Sequence, residues 1–140
     1  MQVKLRPVPE AELRARPQAE PAVQVCLAET DWETLAPGEE VPPVDFGREL
    51  LCIVHRGECP TGGYRVKVAG ARRAGGHLLL ETVLQDPKPG DFVTMAVTYP
   101  RSAVALARCE AGPPGAKLLV QALAAGGKAI AMTELTLPLR

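Results

Sequence analysis

The stretch Glu49 to His55 constrains this chain more than any other. Leu50, Cys52 and Val54 would take one face of a strand, and Leu51, Ile53 and His55 the other. Both faces are largely apolar, so the strand belongs inside a sheet that is covered on both sides. The run ends at the turn Gly57-Glu58-Cys59-Pro60-Thr61-Gly62-Gly63, and a strict alternation starts at Tyr64. There Tyr64, Val66, Val68 and Gly70 share one face, and Arg65, Lys67, Ala69 and Ala71 share the other. That is the pattern of a strand with one buried face.

The remaining segments extend the same theme. Gln2 to Arg6 alternates and reads as a short edge strand, stopped by Pro7 and Pro9. Residues 9–16 have room for one or two helical turns, and residues 1–21 as a whole read as an arm or an edge strand. Ala22 to Ala28 reads as a strand with Val23, Val25 and Leu27 on one face. Thr30-Asp31-Trp32-Glu33 has capping-box spacing, which predicts a short helix from Asp31 to Ala36 that docks Trp32 and Leu35 on the β core. Gly75-Gly76 predicts a tight hairpin into a strand at His77 to Gln85, with positive φ at both glycines. Asp86 to Asp91 is a loop. Phe92 to Tyr99 reads as a further strand, Ser102 to Arg108 as an extended one, and Glu110 to Ala116 as a loop. Lys117 to Leu123 and Lys128 to Leu137 form a last hairpin about Gly126-Gly127, although their alanines also allow a partly helical tail. Short strands with turn signals about every 8–12 residues predict a mainly β fold, an antiparallel β-sandwich or partly closed barrel with one short helix. Residues 22–140 are read as a single β domain.

Composition narrows the function. At 140 residues the chain is long enough for one real core, and 46% of it is hydrophobic. Lys plus Arg and Asp plus Glu both number 16, so no net charge draws the protein to nucleic acid or to an anionic membrane. Five aromatic residues are too few for a base-stacking platform. No apolar run reaches the ~18 residues of a membrane helix. The start, Met1 to Pro7, has no signal-peptide apolar region, so the chain as given is expected to be cytoplasmic, with a secreted or envelope location only if a leader has been trimmed. The absence of Asn suits a GC-rich genome and heat adaptation.

Candidate chemical groups are sparse. Cys52, His55, Cys59 and His77 are the only metal-like grouping, but odd separations on a strand point Cys52 and His55 to opposite faces. No metal and no cofactor are expected. Cys26, Cys52, Cys59 and Cys109 are expected to be free thiols, with Cys59, on the turn, the exposed one. Ser102 is the sole serine, and no base flanks it or Cys59, so catalysis is not expected. The carboxylate pairs Asp86/Asp91 and Glu39/Glu40 lie in polar loops, and Thr61-Gly62-Gly63 lacks the Lys and the following helix of a phosphate loop. The turn itself has two readings. It is a conformational device, with Gly62 and Gly63 at backbone angles other residues avoid, or it is a rigid loop that shows its backbone and Tyr64 to a partner.

Val44-Asp45-Phe46-Gly47-Arg48-Glu49, the apolar strand, Gly57, Pro60-Thr61-Gly62-Gly63-Tyr64 and Thr98-Tyr99-Pro100 resemble, in order and spacing, the C-terminal domain family of the protease complex subunit PrcB. The likeness runs over about residues 31–108, since Asp31-Trp32-Glu33 also fits. It implies an accessory domain associated with a secreted protease complex. Cys59 to Tyr64 is more distantly similar to the Pro-Thr-containing loop of chagasin-type cysteine-protease inhibitors, which implies an immunoglobulin-like sandwich. Gly-rich and Arg-Pro-Trp loops of that family have only weak counterparts at Pro89-Gly90 and Tyr99-Pro100-Arg101. The expected function is therefore a non-catalytic protein-binding domain whose partner is a protease or envelope protein. Its contact residues would be Pro60, Thr61, Gly62, Gly63, Tyr64, Tyr99 and Pro100. The alternative is a small-molecule- or metal-binding β module. Loops 58–63 and 86–91 should gather at one end, joined by either 110–115 or 98–100.

Overall fold

The apolar run is an interior strand. A computed structural model describes residues 1–9 and 16–139 and places Glu49–His55, here β4, between β3 (Ala22–Cys26) and β7 (Arg101–Ala107). β2 (Arg6–Val8) pairs with the far side of β7 and completes a four-stranded sheet in the order β2-β7-β4-β3. The second sheet has five strands. β1 (Gln2–Val3) pairs with β5 (Arg65–Ala74), then come β6 (His77–Gln85), β8 (Lys117–Leu123) and β9 (Ala129–Thr136). The two sheets stack as an open sandwich, not a closed barrel.

Two cores explain why β4 is apolar on both faces. Leu50, Cys52 and Val54 meet Val66, Val68, Leu78, Leu80 and Val120 of the facing sheet. Leu51 and Ile53 point the other way, to a smaller core with Trp32, Cys26, Val8, Ala103 and Ala105. This second core is roofed by α1 (Glu29–Leu35) and by Val41, Val44 and Phe46 of the connector that follows it. The four-stranded sheet is thus covered twice and the five-stranded one once, as the alternation at Val66 and Val68 requires.

Several expectations are corrected. Pro7 does not stop the first strand; it lies within β2, at a sheet edge, where a missing N–H leaves no gap in the interior ladder. β1 and β2 sit in different sheets, and the chain crosses between them at residues 4–5. The helix starts two residues earlier than its sequence signal. Ala28 is the N-cap, and Asp31 rather than Thr30 satisfies the entry, its Oδ2 accepting from the amides of Leu27 (2.8 Å) and Ala28 (3.2 Å). A bulge between Val68 and Gly70 shifts the register of β5, so Ala71, read as solvent-facing, is fully buried. Only Gly75 of the hairpin pair takes positive φ (61°), as in a II′ turn. Arg108–Ala111 is a helical turn, α2, where extended chain and loop were expected. β8 and β9 form the expected last hairpin, and no part of the two is helical. β6 and β8 pair in parallel, because the chain visits β7 in the other sheet between them and returns running the same way. The proposed helical turns at residues 9–16 fall largely outside the described residues.

The segment Phe92 to Tyr99 is the largest departure. It is not a strand; Thr98 alone makes a bridge, and Phe92, Met95 and Val97 face solvent. Alternating apolar residues there find no sheet edge to join.

Trp32 is the largest side chain of the smaller core, fully buried, with its indole N–H donating to the Glu39 carbonyl at 3.3 Å. Trp32→Ala is expected to destabilise the protein by about 3–5 kcal/mol, read by circular dichroism in urea. A loss below about 1 kcal/mol would show that α1 does not anchor that core.

Candidate functional site

At the end of β4 the chain leaves the sheet and builds the turn at residues 57–63 against residues 94–100. Arg56 N–H donates to the Pro100 carbonyl at 2.9 Å. Cys59 and Thr98 exchange two backbone bonds, 2.8 and 2.9 Å, and Gly62 N–H donates to the Thr94 carbonyl at 2.8 Å. The Thr98 hydroxyl adds a bond to the Thr61 carbonyl at 2.7 Å. The Tyr99 hydroxyl donates to Glu58 Oε1 at 3.0 Å, and this bond raises the phenol above its ordinary pKa. These contacts join two segments that are irregular in backbone into one block.

The block settles the open question of loop grouping. Residues 86–91 join it through Pro87, which lies against Gly63, and through the ion pair of Asp86 with Arg56. Residues 98–100 complete the cluster. Residues 110–115 do not, because antiparallel pairing sets the start of β7 beside His55 and its end beside Glu49. Gly112, Pro113 and Pro114 instead line an apolar groove of about 550 Å³ with Gly47, Leu137 and Pro138 at the opposite end.

Arg56 is the hub that sequence reasoning missed. Its Nη1 donates to the carbonyls of Arg65 (3.1 Å) and Gln85 (2.9 Å), so it clamps the open end of the β5–β6 hairpin. Nη2 pairs with Asp86, and the guanidinium lies over the Tyr64 ring at 5.0 Å. A cation placed just after a covered apolar strand was the available signal.

All seven expected contact residues meet at this end. Pro60, Gly63 and Tyr99 are exposed, Thr61, Gly62 and Tyr64 are half-buried, and Pro100 is buried. Five of them, Gly62, Gly63, Tyr64, Tyr99 and Pro100, line a groove of about 620 Å³ that continues along Arg65, Lys67, Val83 and Arg101. Of the pair Gly62-Gly63 only Gly63 takes positive φ (88°), as Gly57 does at the start of the turn (100°). A Cβ there would stand 2.8 Å from both Pro87 Cβ and Val93 Cγ1. The misread segment supplies what the sequence did not show. Phe92 is 106% exposed and Met95 85%, with Val97 and Tyr99 following along the same strip.

The groups considered for chemistry are placed as follows. Cys59 is buried, not exposed, and the exposed thiol is Cys109. Cys26 and Cys52 face different cores, and burial pushes both thiols up to about 12. The Ser102 hydroxyl accepts from the Val68 amide at 3.1 Å and ties the two sheets at the β5 bulge. His55 is 1% exposed, its Nε2 2.7 Å from Gln24 Oε1, while Nδ1 has no partner. Burial, with the nearby Arg101 charge, lowers its pKa to about 4. Among the described residues no group of three or more His, Cys, Asp or Glu stands in an arrangement that would hold a metal.

Residues 50–107 match the PrcB C-terminal family. This is the family the sequence resembles, and the match runs from the first core residue of β4 to the last residue of β7. The PrcB-like segment therefore contains the turn, the β5–β6 hairpin, the exposed strip and the groove. α1 and its roof over the smaller core lie before it. The likeness to chagasin-type inhibitors is not shown. No curated protein and no solved structure matches the chain.

Two outcomes check the physics of this end of the PrcB-like segment. Gly63→Ala is expected to cost about 1–3 kcal/mol, from positive φ and overpacking together, whereas Gly62→Ala, with 3.3 Å to the Thr94 amide nitrogen and no positive φ, is the milder change. Equal melting temperatures for the two variants would contradict the packing of Gly63 on Pro87. The second concerns pH. His55 is neutral in the folded protein down to about 4 and gains a proton near 6.5 when unfolded. Between those values the unfolded state holds more protons, so stability falls as pH drops through the window, by up to about 1.4 kcal/mol per pH unit. Urea titrations across that range should show a flatter slope for His55→Leu, and an unchanged slope would refute the assignment.

Proposed function

We propose that this chain is a non-catalytic accessory domain that binds a protein partner, a component of a protease complex, through the end built on Gly57 to Tyr64. The observation that carries the reading is the exposed strip Phe92, Met95, Val97 and Tyr99, held at its base to the rigid turn by the bonds from Cys59, Gly62 and Thr61. Apolar residues this exposed are costly to leave in water, and large ones on a pinned loop resemble the anchors that dominate protein interfaces. The family match to PrcB C-terminal supports the association with a protease. The commitment of the Ser102 hydroxyl to the Val68 amide and the burial of Cys59 support a binding role over a catalytic one.

The test is affinity capture from the native host with the wild-type chain and with a Phe92→Ser/Met95→Ser variant, followed by mass spectrometry and binding measurements on the captured protease. Both substitutions are at solvent-exposed positions, so circular dichroism should be unchanged. Loss of an anchor of about 2 kcal/mol weakens binding about 30-fold. Equal capture by both proteins, or capture in which no protease is enriched, would refute the reading.

A further inference from the structure

We infer that the outer face of the five-stranded sheet is a self-association surface, occupied by a second copy of this chain related by a two-fold axis. This goes beyond the accessory-domain reading and uses no residue of the end built on Gly57 to Tyr64. The four-stranded sheet is covered on both faces. The five-stranded one turns Leu78, Leu80 and Val120 to the core and leaves its other face bare. That bare face is apolar at its centre. Leu79, Leu119 and Leu123 are half-buried there, and Val83 and Met132 are 55% and 56% exposed beside them.

Register decides the occupant. The pairing of β5, β6, β8 and β9 lays this face out in rows across the strands, and one central row is Arg72, Leu79, Gln121 and Met132. The row on one side carries His77, Leu119 and Glu134, and the row on the other carries Glu81, Leu123 and Ala129. A two-fold axis along the central row, lying between two stacked sheets, exchanges the two flanking rows. Leu119 then faces Leu123 of the second copy, and Leu79 and Met132 each face their own counterparts. The His77 imidazole faces a Glu81 carboxylate, and Glu134 faces Ala129 with the exposed Lys128 next to it. Leu119–Leu123, His77–Glu81 and Glu134–Lys128 each occur twice, as an isologous interface requires. Arg72 meets Arg72, but each guanidinium has a carboxylate oxygen of its own Glu81 at 3.6 Å to offset the repulsion. Sheets stack about 10 Å apart, which brings these side chains into contact. The chain has no net charge to oppose the association. The rows supply fewer residues than the roughly 20–30 a side of a standard interface, so the dimer is weak and forms as concentration rises.

The test is sedimentation equilibrium of the full chain from about 1 μM to about 1 mM, where a monomer–dimer equilibrium is expected. Leu79→Lys sets like charges across the axis and should leave monomer at every concentration. His77→Glu should weaken the dimer about tenfold, and the exchange His77→Glu/Glu81→His should restore it. A wild-type chain that stays monomeric throughout overturns the proposal. So does a dimer left intact by Leu79→Lys in a protein that circular dichroism shows to be folded. Should that variant unfold, the exchange at the exposed positions 77 and 81 decides, and failure to recover affinity overturns the two-fold register. A dimer abolished by Phe92→Ser/Met95→Ser would place self-association at the exposed strip and overturn the assignment to this face. The strip and the sheet face share no residue. Protease capture that fails while the dimer stands removes the accessory-domain reading alone, and a missing dimer with capture intact removes this inference alone.

Discussion

Burial of β4 on both faces is the constraint on which the rest of the architecture depends. A strand with Leu50, Cys52 and Val54 on one side and Leu51 and Ile53 on the other needs two layers of cover. The facing sheet provides one. The other comes from a single helix of seven residues and an irregular connector, which is why one Trp fills so much of the smaller core. Because β4 pairs along its whole length with β7, its two ends set where the loops fall. His55 and Arg101 mark one end of the sandwich and Glu49 and Ala107 the other. The turn and residues 98–100 are neighbours for that reason alone.

His55 shows what double cover costs. It occupies the last position of the covered face, where an apolar residue would need no partner. Gln24 on the adjacent strand satisfies one ring nitrogen at 2.7 Å, and the other remains bare. Arg101, its register partner on β7, stands close enough to oppose a second positive charge. The ring therefore stays neutral in the folded protein down to about 4.

What was legible in the sequence follows from how local each signal is. β4, β6 and the Gly75-Gly76 hairpin depend on alternation and on one turn, both of which lie within a few residues, and their bounds were read as they stand. The bulge at Ala69, the parallel pairing of β6 with β8 and the helical turn at Arg108 depend on partners far along the chain, and nothing near them in sequence announces those partners. The site divides the same way. Pro60 to Tyr64 were visible as turn chemistry, and Tyr99-Pro100 through the resemblance to the PrcB C-terminal family. Arg56 was not, since its importance lies in carbonyls 9 and 29 residues away.

The misreading of residues 92–99 carries the most functional content. Alternating Val93, Met95 and Val97 look like a strand because alternation is the sequence signature of a half-buried surface. In the fold that segment joins no strand, and its backbone bonds go to Gly62 and Cys59 of the turn. An amphipathic pattern is thus retained where the molecule itself offers nothing to bury it. Alternation does not specify whose surface supplies the cover. With the backbone pinned at Thr94 and Thr98, Phe92 and Met95 are left in solvent, and no other part of the described chain covers them.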